Sequence, residues 1–237
     1  MFEPHFDQAH GLQSLVPVPP TRVLPVVATE GDTLSLELLW TLERELQAQG
    51  HTLVVIDGLC GLKPQDAAQG HQRVLQRWLA GVPQGVVVLL HAQLHPLAVL
   101  LADSEASPLV PMALDAKGVV QAYSAVKVLV QAGGLLPVVL PRVSARPPVT
   151  TAAALQTAQQ SLQRCCHQSL RVLPYVWPLE YHEHTVLERR PRQEACVLRV
   201  LDSALVLPVA PAPAAESAPA VAAAPAAVAR PGHSVRR

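Results

Sequence analysis

Apolar and polar positions along this chain fall into blocks that switch between two periods. A β-branched run from Arg22 to Ala28 is followed by a turn at Glu30-Gly31-Asp32, and then Leu34, Leu38, Leu42 and Leu46 recur every four residues. That is strand, turn and amphipathic helix, with Asp32 or Thr33 available as N-cap and Gly50 as the stop. Thr52 to Asp57 is a second apolar strand ending on an acid, so the first 57 residues spell a βαβ unit whose two strands should be parallel. The alternation predicts a helix at Gln65–Leu79, strands at Val86–Leu90 and Leu109–Leu114, a helix at Gly118–Gln131 and a strand at Leu135–Leu140. A long helix at Thr151–Gln168 and a last strand at Arg171–Trp177 complete the pattern. Wholly apolar strands separated by helical patterns predict an α/β fold, a mostly parallel sheet with helices on both faces. Pro25, Pro111, Pro137 and Pro174 each fall within one of these strands. Proline cannot donate to a ladder, so some of the strands should be edge-placed, bulged or shorter.

The ends of the chain differ from its middle. Residues 5–15 read as a small helix, followed by the proline-rich linker Val16 to Pro20. From Pro208 the composition collapses to alanine, proline and valine, too small a set of side chains to offset the entropy of ordering. The organisation expected is therefore a motif helix and linker at 1–20, one α/β domain at 21–207, and a disordered Ala/Pro-rich tail at 208–237.

Charge and cysteine content narrow the function classes. The chain has 18 basic and 18 acidic residues, which gives it no global charge with which to hold nucleic acid or an anionic membrane. Cys60, Cys165, Cys166 and Cys196 include an adjacent pair and no CxxC spacing, which suits buried or idle thiols better than a disulfide framework or a zinc knuckle. The N-terminus lacks a basic region followed by an apolar run, so a cytoplasmic location is expected. The longest apolar stretch, Val86 to Leu101, is interrupted by His91, Gln93, His95 and Pro96 and reads as a buried strand running into a turn.

Candidate chemistry centres on the turn after the first strand. A phosphate-binding loop at this place needs glycines that let backbone N–H groups face the phosphates, a lysine for the β/γ oxygens and a hydroxyl for Mg²⁺. The segment Ala28-Thr29-Glu30-Gly31-Asp32-Thr33-Leu34-Ser35 keeps one glycine, has no lysine, and carries Glu30 and Asp32 where a polyanion would sit. Two carboxylates repel a triphosphate at close range, and phosphoryl transfer depends on positioning and charge neutralisation. The loop comprising Thr29, Glu30, Gly31, Asp32 and Thr33 is therefore read as a degenerate nucleotide loop, and ATP hydrolysis is not expected. Thr33 or Ser35 is either a relic of the Mg²⁺ hydroxyl or an ordinary helix cap.

The segment Asp7-Gln8-Ala9-His10-Gly11-Leu12-Gln13 resembles the DQAxGLR motif that opens the FlhG (FleN) flagellar-number regulators of the MinD/ParA group of P-loop ATPases. Leu53-Val54-Val55-Ile56-Asp57-Gly58 is similar to the family's LLDAD strand end. Gln121 to Leu129 resembles its DAYALIKVL helix, and His182 to Pro191 its stretch ending in RRP. The likeness spans most of residues 5–191, with the first motif and the Tyr123 helix its most specific parts. It implies a MinD-like P-loop fold, degenerate here because the Walker A lysines have no counterpart between Ala28 and Ser35. The acidic strand end of the family is replaced by Leu89-Leu90-His91, and the motif arginine by Gln13.

The resemblance implies a partner rather than a cofactor. Family members dock their N-terminal helix on FlhF, a signal-recognition-type GTPase, and stimulate its GTP hydrolysis. Here the partner-binding residues would be Asp7, Gln8, Ala9, Gly11, Leu12 and Gln13, with no cofactor required and flagellar assembly proteins as further partners at the cell pole. Gln8 matches the motif glutamine, and an amide can orient an attacking water in a GTPase site. The bland alternative is that residues 7–15 cap their own domain through Phe6, Leu12 and Leu15. Two other functions stay open: a residual ATPase using an unrecognised loop, and a scaffold in another MinD-like pathway. Of the remaining features, His182 and His184 suit a surface loop better than a metal site, and Cys165-Cys166 suits a helix core. Ala195 to Leu207 is apolar enough to touch a membrane, as the family's C-terminal helix does, but with Arg199 as its only basic residue it suits packing on the sheet better.

Overall fold

A computed structural model describes residues 19–29, 33–67, 69–143, 149–180 and 191–207. Strand β1 (Thr21–Val27) leads into helix α1 (Leu34–Ala48) and strand β2 (Leu53–Asp57). Three short helices, α2 (Gly58–Gly61), α3 (Pro64–Ala67) and α4 (His71–Trp78), precede β3 (Val87–Ala92). Then come α5 (Leu94–Leu100), β4 (Leu109–Met112), α6 (Ala116–Gly133), β5 (Val138–Val143) and α7 (Val149–Leu170). The described part closes with β6 (Tyr175–Val176), β7 (Leu179–Glu180), α8 (Pro191–Asp202) and β8 (Leu205–Leu207). The N-terminal motif residues Asp7, Gln8, Ala9, Gly11, Leu12 and Gln13 lie outside the described residues, as do Glu30, Gly31, Asp32, the stretch around His182 and His184, and the tail from residue 208.

The strand order is β2-β3-β1-β4-β5-β6, with β7 beside β5 and β8 beside β1. Every pairing is parallel except that of β8, which runs antiparallel to β1. The predicted α/β architecture therefore holds, and β1 and β2 are parallel as the βαβ pattern required, with β3 between them. Two apolar layers cover the sheet. On one face Leu38, Leu42 and Leu46 of α1 and Val197 and Val200 of α8 pack on Leu24, Val26 and Leu89. On the other, α4 to α7 contribute Leu75, Leu97, Val126 and Leu162 against Val23, Val88 and Val139. The segment from Ala195 onward thus packs on the sheet, with Val197, Val200 and Leu201 buried.

Several local expectations needed correction. The single helix at Gln65–Leu79 is broken into α3 and α4 because Gly70 adopts a left-handed φ of 86° between them. Val86–Leu101 ends in helix α5 rather than a turn. Pro96 is tolerated there because it lies in the first helical turn, where N–H groups have no intrahelical acceptor to lose. The strand drawn at Arg171–Trp177 shrinks to Tyr175–Val176, leaving Pro174 just before it, and the one at Leu135–Leu140 shifts to begin at Val138, leaving Pro137 outside. Thr33 does stand at the N-cap of α1, but its side chain makes no cap bond. Its hydroxyl donates to Glu37 Oε1 at 3.0 Å instead.

Pro25 sits in the middle of the central strand for a reason the ladder makes clear. The amides of Arg22 and Ala28 donate to Val86, just before β3, and to Ala92 at its end, so by the two-residue alternation of a strand the even positions face β3 and Pro25 faces the other way. On that side β8 pairs only Thr21 to Val23, and β4 joins only at Val26. The missing donor therefore falls in the seam between two neighbours, where no ladder bond is lost.

Candidate functional site

The seam also shapes the site. Beyond Val26↔Leu109, β1 and β4 share no further pairing, so their C-terminal ends separate. The chain leaves β1 toward β2 on one side and leaves β4 toward β5 on the other, which makes this gap the switch point of the sheet, the usual ligand position in open α/β folds. A pocket of about 620 Å³ opens there, with Val27 and Ala28 on one wall and Val110 and Pro111 on the opposite one. The first turns of α1 and α5, and Val120 to Ala125 in the second and third turns of α6, close its sides.

At its floor lies a polar knot. The Thr29 amide donates to Ser35 Oγ at 3.3 Å, and the Ser35 amide donates to Thr29 Oγ1 at 3.2 Å. Ser35 Oγ also lies 3.2 Å from His91 Nε2. The arrangement is satisfied when a neutral imidazole accepts the serine hydroxyl proton while the serine oxygen accepts from Thr29. Ser35 and His91 are both buried, at 2% and 4% exposure, amid otherwise apolar neighbours. Burial pushes the His91 pKa below its ordinary value, with the nearby Asp57 carboxylate pulling the other way. Asp57 itself caps α2, accepting from the Leu59 amide at 2.9 Å.

Of the residues read as a degenerate nucleotide loop, Thr29 is brought into the pocket wall, whereas Thr33 stands at the N-cap of α1 and outside the lining. Neither alternative offered for Ser35 describes it fully. Its hydroxyl is the partner of Thr29 and His91 rather than a helix cap, and the cap function for its own amide is supplied by Thr29 from before the loop. Arg142, at the end of β5, reaches Glu37 of α1 at 3.2 Å and is absent from the pocket lining. Among the described residues that line the pocket there is no lysine or arginine.

His91 is the site residue that sequence reasoning did not single out. The available signal was a lone histidine at the end of an otherwise apolar strand, since a buried polar group in such a run must find a partner. Its register neighbours are Asp57 on β2 and Val26 on β1, which places it between the acid and the central strand. The helix likened to DAYALIKVL is α6, capped by Asp115, whose Oδ1 accepts from the Gly118 amide at 2.6 Å. Ala122 and Val126 of that helix face the core, while Gln121 and Ser124 face the pocket.

Cys166 and Cys196 behave as packing groups, whereas Cys165 is exposed on α7, so only one of the adjacent pair joins the helix core as expected. Burial raises the Cys166 thiol pKa to about 11, with Cys165 adding to the effect. Burial likewise raises Cys196 to about 11, partly offset by Arg199. Such thiols carry little nucleophilic thiolate near neutral pH. Among the described residues no helix is long and apolar enough to cross a membrane.

No family model matches this chain. No curated protein matches it in sequence. Among solved structures, the MinD cell division protein of Aquifex aeolicus is similar at 9% identity and a TM-score of 0.46, over 75% of this chain and 86% of that one. The MinC:MinD cell division protein complex of the same organism is similar at 8% identity and a TM-score of 0.44, over the same shares. The likeness is one of fold alone.

Proposed function

We propose that this chain is a non-enzymatic regulator of flagellar placement or number, a degenerate relative of the FlhG (FleN) proteins that docks on an FlhF-type GTPase through residues 5–15. The observation that carries the non-enzymatic part is the closed knot of Thr29, Ser35 and His91 at the end of β1. The amide and hydroxyl groups of Thr29 and Ser35 are paired with one another rather than left for a phosphate, and the sequence of the same loop adds Glu30 and Asp32. Preorganised positive charge and free N–H groups are the main requirement of phosphoryl transfer, so this loop has little to offer it.

The docking part is supported by the residues that carry the resemblance, Asp7, Gln8, Ala9, Gly11 and Leu12, with Gln8 available to orient an attacking water in the partner. Balanced charge supports a role without nucleic acid, and the packing of α8 supports weak or no membrane contact at the cytoplasmic pole where such a GTPase acts.

Removing residues 1–16 separates this reading from its rivals. The full chain should retain the GTPase in co-purification, the truncated chain should not, and neither should turn over ATP above background. Retention by the truncated chain would overturn the docking segment. ATP turnover that disappears in Ser35→Ala would establish a residual ATPase instead.

A further inference from the structure

The pocket at the switch point has a composition that the proposed docking role does not use. Its volume, about 620 Å³, lies within the range of small-molecule sites, which are mostly apolar with a few placed polar groups. Its walls are aliphatic: Val27 and Val110 are buried on the two separating strands, and Leu36 and Val120 stand exposed at the mouth on α1 and α6. Its polar groups fall into three sets: Ser35 and His91 form the floor with Thr29, Gln93 and His95 stand exposed where β3 runs into α5, and Gln121 and Ser124 stand at the rim on α6.

We propose that this pocket binds an uncharged, largely apolar small molecule with a single hydrogen-bonding group directed at the Ser35–His91 floor. An anion entering it would lose its hydration and find no lysine or arginine among the described lining residues. A cation would find no carboxylate among those lining residues, with Asp57 and Glu37 outside the set. A neutral ligand meets no such penalty. Its apolar body is accommodated by the aliphatic walls, and its polar group can donate to the remaining lone pair of a serine oxygen whose position is held by two partners. This inference does not rest on the N-terminal docking reading.

The test uses the full-length chain and two related dyes, uncharged N-phenyl-1-naphthylamine and anionic 8-anilinonaphthalene-1-sulfonate. The neutral dye should bind saturably at one site, with its fluorescence raised, and ATP should not displace it. The sulfonate should bind at least about tenfold more weakly. Ser124→Trp, at an exposed rim position, should weaken neutral-dye binding by about tenfold or more, whereas Lys127→Trp, exposed on α6 but outside the lining, should leave it unchanged. Circular dichroism identifies a variant that fails to fold, and Gln121→Trp, exposed on the same rim, then takes the place of Ser124→Trp. Equal affinity for the two dyes, displacement by ATP, no saturable binding, or binding indifferent to the rim tryptophan would each overturn the proposal.

Discussion

The two ends of β1 are built for different purposes. At its N-terminal end, β8 pairs Thr21 to Val23, Arg22 reaches the Leu201 carbonyl at 3.2 Å and Asp202 at 3.7 Å, and the linker packs on Gly85. At its C-terminal end the strand parts from β4 after Val26 and exposes a pocket floored by three polar groups. One end is closed by the last described element of the chain, and the other is left open by the same sheet. α8 and β8 therefore act as a clamp on the domain at one end, while the polar pocket lies at the opposite rim. Proline 25 marks the boundary between them, since its missing donor fits only where one neighbour has ended and the next has just begun.

Breaking the clamp should have the largest effect. Leu205 is buried on β8 among residues of the α4 to α7 face, while Val206 beside it is half exposed. Leu205→Asp should cost about 4 kcal/mol in urea unfolding, through lost apolar burial plus a carboxylate without a partner. Val206→Asp should change stability by only a few tenths of that, and equal costs for the two would refute the assigned strand faces.

At the open end the effects should be smaller and specific. Ser35→Ala removes the acceptor of the Thr29 amide and the partner of His91, and should cost about 1–2 kcal/mol by the same measurement. A neutral result would mean that the knot is not formed in solution. His91 adds a pH signature. Its pKa in the folded protein lies below the ordinary 6.5, so the unfolded chain binds the extra proton first as pH falls. The stability it protects is fully present above 6.5 and declines as pH drops from there toward the folded pKa. His91→Gln should flatten this part of the stability profile, and parallel profiles for the two proteins would remove His91 from the account. Smallest of all, Arg22→Ala should cost about 0.5–1 kcal/mol, because its ion pair with Asp202 is largely exposed and the carbonyl bond carries most of the effect. A cost near that of Leu205→Asp would show the clamp to be polar rather than apolar.

Much of the fold was legible because period and burial coincide. The four-residue leucine spacing of α1 and the wholly buried β3 were visible as patterns, and both survive with boundaries moved by one or two residues. What escaped was set by contacts distant in sequence. The break at Gly70, the helix after Gln93 and the shortening of β6 depend on what each segment meets in three dimensions. Pro25 could be flagged as a problem, but its solution required knowing that β8, some 180 positions later, would share a flank with β4. At the site, missing lysines and added acids drew attention to the segment after β1, of which Thr29 and Ser35 meet at the pocket. The Ser35–His91 pair was not legible, because 56 positions separate its members and nothing in either segment points to the other.

The central claim is that this chain acts on a GTPase rather than on ATP. GTP turnover by the FlhF-type GTPase of the same organism, measured with and without the full-length chain, tests it most directly. The account predicts stimulation that survives Ser35→Ala, because the knot plays no part in it, and that is lost with Gln8→Ala or with removal of residues 1–16. A full-length chain that leaves GTP turnover unchanged, or stimulation indifferent to Gln8, would contradict it.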